Sequence, residues 1–169
     1  MLAKLKAIWK LARFEHALML GVAVILGAVI GAKGAGVALP GLGTMALAAL
    51  VSILIEVGAF AQNDVVDELA DRANKRKGRP IVAGEVSASE ANAIAWASYV
   101  IGCAIAFFLG TGPFAIAVLF TALSVAYNYR LKDIALAGNA CIAASMAIPF
   151  VFGSVVATGG AAWGAPLAV

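Results

Sequence analysis

Charge is what this sequence has least of. Asp, Glu, Lys and Arg make up 12% of its 169 residues, where soluble domains carry about 25%. Mean hydropathy is +0.99. A water-soluble domain is excluded, because apolar runs of about 20 residues recur along the whole chain. Each is long enough to cross a hydrocarbon layer about 30 Å thick at about 1.5 Å per residue. The period-2 alternation of a membrane barrel is missing as well. The runs therefore read as helices, which satisfy their backbone groups within one segment. The two cysteines, Cys103 and Cys141, sit within apolar runs without metal-ligand spacing and read as small packing residues. The basic N-terminus lacks a clear cleavage site and reads as a retained helix. There is no convincing internal repeat and no low-complexity tract.

What is present is an all-α, polytopic transmembrane bundle forming one domain over residues 1–169. Five spans are predicted, at 15–32, 41–62, 88–110, 114–127 and 134–157. The fourth is short for a crossing unless its flanks contribute. Gly and Pro punctuate the connections "GAKGAGVALPG" and "GTGP". The abundant Gly and Ala suit close helix–helix contact in lipid. The closing "TGGAAWGAPLAV" reads as an exterior loop leading into a further apolar segment, so the domain is expected to be incomplete at its C-terminus. With five crossings, 11 of the 12 basic residues fall on one side, and only Lys33 falls on the other. The positive-inside rule makes that side cytoplasmic. A multi-pass cell-membrane protein with a cytoplasmic N-terminus is expected, and no nucleic-acid partner.

The densest charge lies at 61–80, "AQNDVVDELADRANKRKGRP". If the second span stays helical through residue 71, Asp64, Asp67 and Asp71 follow i, i+3, i+7 and share one face with Asn63. Carboxylates about 6 Å apart repel by ~2 to 3 kcal/mol at an effective dielectric near 20. A helix C-terminus disfavours anions further. Something positive must compensate. Pairing with the adjacent "RANKRKGR" supplies only ~0 to 1 kcal/mol per exposed pair. The other candidate is a divalent cation, most plausibly Mg²⁺, which takes one or two carboxylates together with substrate phosphates.

"NDVVDELAD" resembles the N-D-x-x-D-x-x-x-D signature of the UbiA family of membrane prenyltransferases. "RANKRKGRPIVAGEVS", "YNYRLKDIALAGN" and "LARFEHALMLGVAVILGA" resemble further family segments, in family order and at about family spacing. The resemblance covers essentially the whole chain, but only the first half to two-thirds of a usual member. It implies an all-helical, Mg²⁺-dependent transferase that moves a prenyl group from its diphosphate to a lipophilic or aromatic acceptor. By motif, Asn63, Asp64, Asp67 and Asp71 would bind the metal–diphosphate, and Arg72, Lys75, Arg79 and Lys132 would contact diphosphate. Tyr127 falls at the family's Tyr position, although Tyr129 competes for it. The closest likeness is to the archaeal branch, whose members add a geranylgeranyl chain to geranylgeranylglyceryl phosphate. Quinone-type members, which prenylate an aromatic acid, are the alternative, and a small transporter or scaffold is a third class.

One departure matters. Family members carry a second acidic cluster, and nothing after Asp133 is acidic here. Asp133 itself is expected to cap the fifth span. The 169-residue polypeptide alone is therefore expected to be inactive. Glu56 lies seven residues before Asn63 on the same face, where a lone acid costs about 2.5 to 3.5 kcal/mol on insertion scales. It reads either as an orienting group for an acceptor hydroxyl or as a partner for a neighbouring helix. Glu15 and His16 open the first span and are weaker acceptor-contact candidates. Phe60 reads as ordinary packing. Oligomeric state and prenyl length are not encoded in any of these features.

Overall fold

The computed structural model describes residues 2–159. Ten residues at the C-terminal end, which include most of the expected exterior loop, lie outside that range. Seven α-helices occur among the described residues: α1 Leu2–Leu11, α2 Phe14–Ala35, α3 Leu42–Val66, α4 Glu68–Ala73, α5 Ala88–Leu109, α6 Thr111–Tyr129 and α7 Ala135–Thr158. Five of them, α2, α3, α5, α6 and α7, are long and apolar enough to cross a membrane. The fourth span is longer than expected. Pro113 falls in the first turn of α6, where its missing N–H is not needed, so the helix starts at Thr111 rather than after the proline. The turn before it is a single residue, Gly110, at φ 124° and ψ 170°, a conformation essentially restricted to glycine.

The bundle is built around α3, which touches α2, α5, α6 and α7. Its core joins Leu20 and Val24 of α2, Val51 and Ile55 of α3, Tyr99 of α5, Phe120 of α6 and Phe152 of α7. Helices α2 and α7 approach backbone to backbone. A Cβ on Gly153 would stand 1.9 Å from the Val24 carbonyl oxygen, and one on Gly27 would stand 2.1 Å from that of Phe150. No side chain can yield there, since the obstacle is main chain. Between helices in lipid, such close contact replaces the missing hydrophobic drive. Gly153→Val is expected to separate α2 from α7, at a cost of about 3 kcal/mol. Thermal unfolding followed by circular dichroism would show a fall in midpoint; an unchanged midpoint would refute the contact.

Three features depart from the sequence reading at the charged end. The N-terminal segment forms its own helix, and α2 begins only after a break at Arg13, whose backbone is left-handed (φ 42°). Ala7 and Leu11 of α1 pack with Ala61, Ile81, Val86, Ala91 and Ala95, forming a second small core. Likewise, α3 stops at Val66 and Asp67 stands at a junction before α4. The 74–87 loop is pinned by buried Ile81 and Val86 and by a capping box between Ser87 and Glu90 at the start of α5. Lys4 ties α1 to Glu90 at 2.7 Å. Asp133 does not cap α7. It lies in the 3-10 turn Leu131–Asp133, and the N-cap position belongs to Ile134 without a side-chain cap.

Candidate metal and diphosphate site

The acidic trio does not stand on one continuous face, because the junction at Asp67 divides it. Asp64, 3% exposed, receives Arg79 Nη1 at 2.6 Å and Arg13 Nη2 at 3.1 Å, both on Oδ1. Asp71, also 3% exposed, pairs with Arg76 at 3.2 Å and with Arg79 at 3.3 Å. One guanidinium thus joins the two carboxylates seven residues apart. Asp67 turns the other way, to the Lys132 ammonium, and its Oδ2 accepts from Asn63 Nδ2 at 3.1 Å. The positive charge demanded by a crowded helix end comes from four side chains on three segments that meet at one end of the bundle.

Below the acids a polar chain enters the bundle. Asn63 donates to Asn128 Oδ1 at 3.3 Å. Asn128 donates to the Ala59 carbonyl at 3.0 Å and to Gln62 Oε1 at 3.2 Å, and Gln62 Oε1 also accepts from Tyr99. These bonds fix Asn63 and, through it, Asp67. Beside this chain opens a cavity of about 350 Å³, lined by Arg13, His16, Glu56, Phe60, Asn63 and Tyr127 among others. Arg13 lies 4.5 Å above the Phe60 ring, and His16 meets the same ring edge-on. Phe60 is therefore a cavity wall and a cation platform as well as packing.

The sequence-predicted residues divide clearly. Asn63, Asp64, Asp67, Asp71, Arg79 and Lys132 come together, and Tyr127, His16 and Glu56 share the adjoining cavity. Tyr127 rather than half-exposed Tyr129 takes the cavity position. Arg72 is turned away, bonded to Glu68 at 2.9 Å one helical turn back. Lys75 is exposed at a left-handed turn with φ 53°. Glu15 accepts from Trp9 Nε1 at 2.8 Å and does not line the cavity, because adjacent helix positions face different ways. Arg13, Asn128, Gln62 and Tyr99 escaped the sequence reading. Only Arg13 gave a signal there, a cation at the mouth of a span.

Among the described residues no three His, Cys, Asp or Glu side chains converge as a ready-made metal cluster. The donor set nevertheless suits Mg²⁺. It is all oxygen, Arg79 brings two of its carboxylates together, and the buried Oδ2 of Asp71 accepts no hydrogen bond beyond the Arg79 ion pair at 3.3 Å. Mg²⁺ needs no protein cage of three acids, since phosphate and water complete its octahedron. Asn63, Asp64, Asp67 and Asp71 are the residues that would hold it.

An all-helical membrane bundle with paired acids and bases over an apolar cavity defines the class. The sequence pattern of the UbiA prenyltransferase family matches residues 16–169, and the chain belongs to that family. It is a multi-pass membrane protein. It is 36% identical over 155 residues to digeranylgeranylglyceryl phosphate synthase of Archaeoglobus fulgidus, across 92% of this chain and 52% of that one. The synthase of Pyrococcus furiosus is 29% identical over 152 residues, across 90% and 53%. A solved structure described as giving insights into the biosynthesis of digeranylgeranylglyceryl phosphate synthase in membranes shares the fold. Its TM-score is 0.83 at 24% identity, over 90% of this chain and 53% of that one. The chain spans about half the length of the curated relatives it matches. Dependence on a divalent metal is general in the family, as are prenyl diphosphate and lipophilic acceptor substrates.

Proposed function

We propose that this chain carries the Mg²⁺–diphosphate site of a prenyltransferase. The prenyl group, geranylgeranyl, passes from its diphosphate to geranylgeranylglyceryl phosphate in archaeal ether-lipid synthesis. The observation that carries this reading is the grouping of Asn63, Asp64 and Asp67 with Arg13, Arg79 and Lys132 directly above the cavity. The named relatives supply the acceptor. The charged end faces the cytoplasm by the positive-inside rule, since 11 of 12 basic residues lie there.

Each residue has a part that its position permits. The difficult event is departure of the diphosphate, which leaves an allylic cation on the prenyl chain. When bound, Mg²⁺ supplies electrostatic stabilisation of the leaving oxygens. Arg13 and Arg79 can exchange Asp64 for phosphate oxygens, because a guanidinium fork fits either anion. Lys132, held on Asp67, offers a further point charge. Asn128 holds Asn63 in place from within the bundle. Tyr127 and Phe60 present aromatic faces along the cavity, where they stabilise a nearby cation by roughly 0.5 to 2 kcal/mol. The apolar walls keep water from the cation.

Equilibrium binding to the chain in lipid nanodiscs tests the reading. Geranylgeranyl diphosphate is expected to bind in the presence of Mg²⁺ and to be displaced by inorganic diphosphate. Geranylgeraniol, which has the tail without the phosphates, is expected not to displace it. Displacement by the alcohol at equal concentration would show that the tail alone is held, and would refute a diphosphate site.

A further inference from the structure

Glu56 takes no part in the ion-pair cluster. It stands ten residues before the end of α3 at Val66, about 15 Å into the bundle at 1.5 Å per residue. It is 8% exposed and lines the cavity, yet among the described residues no hydrogen bond or ion pair reaches its carboxyl. An acid held at that depth without a protein partner is disfavoured unless a polar group meets it.

Tyr127, Asn63, Asn128 and Ser145 share the wall, yet among the described residues none of these donors bonds to Glu56. Ser124 spends its hydroxyl on the Phe120 carbonyl at 2.9 Å. Ser145 reaches a similar depth from α7, ten residues after Ala135, and Pro149 offers no N–H to the Ser145 carbonyl. The guanidinium of Arg13 and the imidazole of His16 are at the mouth of the cavity, and Arg13 is already engaged by Asp64 and Phe60. The rest of the lining includes Ala59, Phe60, Ile142 and Met146, which are apolar. Such a surface is complementary to one hydrogen-bond donor carried on a hydrocarbon chain. A ligand carboxylate fits poorly, because two carboxyl groups at hydrogen-bond range cannot both stay ionised.

We infer that Glu56 is the hydroxyl-selecting residue of the acceptor pocket, accepting a hydrogen bond from a lipid alcohol and turning away an acceptor that ends in a carboxylate. This rests on the prenyl-transfer reading and adds a residue that chooses between its two acceptor classes. In transfer, the hydroxyl oxygen forms the new C–O bond to the prenyl carbon. The C–O bond to diphosphate breaks with its electron pair leaving on diphosphate, and the hydroxyl proton passes to the Glu56 carboxylate.

The test uses photolabelling of the chain in nanodiscs of neutral lipid. One probe is a glycerol ether with a diazirine in its alkyl tail, and the other is the carboxylic acid with the same tail. Labelling is mapped to α3 and α7 peptides. The wild type is expected to favour the glycerol ether by about fivefold or more, the effect of one buried hydrogen bond. Glu56→Gln keeps the alcohol and admits the acid, bringing the ratio below about twofold. Glu56→Leu loses alcohol labelling by about fivefold. Equal labelling of the wild type by both probes, or an unchanged ratio in Glu56→Gln, would overturn the inference. Binding of geranylgeranyl diphosphate with Mg²⁺ is measured alongside. Its retention in both variants shows that the fold is intact. Its absence from the wild type would sink the transfer reading, while the labelling ratio still decides the role of Glu56.

Discussion

Asp64→Asn is expected to weaken Mg²⁺-dependent binding of geranylgeranyl diphosphate by about 100-fold or more, with membrane insertion intact. The substitution changes one oxygen to an amide of nearly the same shape, so packing survives while charge is lost. That charge sits where two arginines converge on one buried oxygen, 2.6 and 3.1 Å away. Without it a cation has one fewer anionic ligand, and Arg13 loses its carboxylate while Arg79 keeps only Asp71. Asp67→Asn should follow in the same direction but with Lys132 rather than arginine released, because the junction after α3 sends Asp67 to the other side. Titration of the diphosphate at several Mg²⁺ concentrations separates the two effects. A change under about threefold for Asp64→Asn would mean that the acid serves only its arginines.

Arg79→Ala carries the second large effect, and it acts on folding as well as binding. Arg79 is the single link between Asp64 and Asp71, both almost fully buried, and it hangs from a loop fixed by Ile81 and Val86. Removing one partner of a buried ion pair costs about 3 to 5 kcal/mol. Because Arg13 and Arg76 still reach the two acids, the lower end of that range is expected. The 74–87 loop should become cleavable by trypsin under conditions that spare the wild type, and diphosphate binding should weaken too. Arg79→Lys should recover only part of both, since one ammonium cannot span two carboxylates as a guanidinium does. A protease-resistant Arg79→Ala chain would contradict the bridging role.

The membrane helices were legible because hydrocarbon thickness imposes a length that composition reveals directly. The second span runs four residues beyond its predicted end at 62, to Val66, since an Asn-Asp pair can remain helical once buried partners meet it. The proline that shortened the fourth span was misleading, because its position in the first turn costs nothing. The acidic motif was legible from its spacing, and its counter-charges were legible in kind. Which counter-charge meets which acid was not. Arg13 lies 51 residues from Asp64, and Lys132 lies 65 from Asp67, so only the folded bundle pairs them. The same holds for Asn128, which looks like an ordinary helix-end asparagine until it meets Gln62 and Asn63 from 65 residues away or more. Arg72 and Lys75 were expected at the site because they follow the acids directly. Proximity along the chain carried no information once α4 turned Arg72 outward and the turn after it left Lys75 exposed.

Replacing Mg²⁺ with Mn²⁺ and recording pulsed EPR of the chain with geranylgeranyl diphosphate addresses the grip of the acids most directly. Protein-bound Mn²⁺ with ³¹P couplings from the diphosphate is expected, and both Asp64→Asn and Asp67→Asn should abolish it. Diphosphate held equally well after all divalent cation is chelated, with the same Asp variants unaffected, would contradict a metal-bridged site.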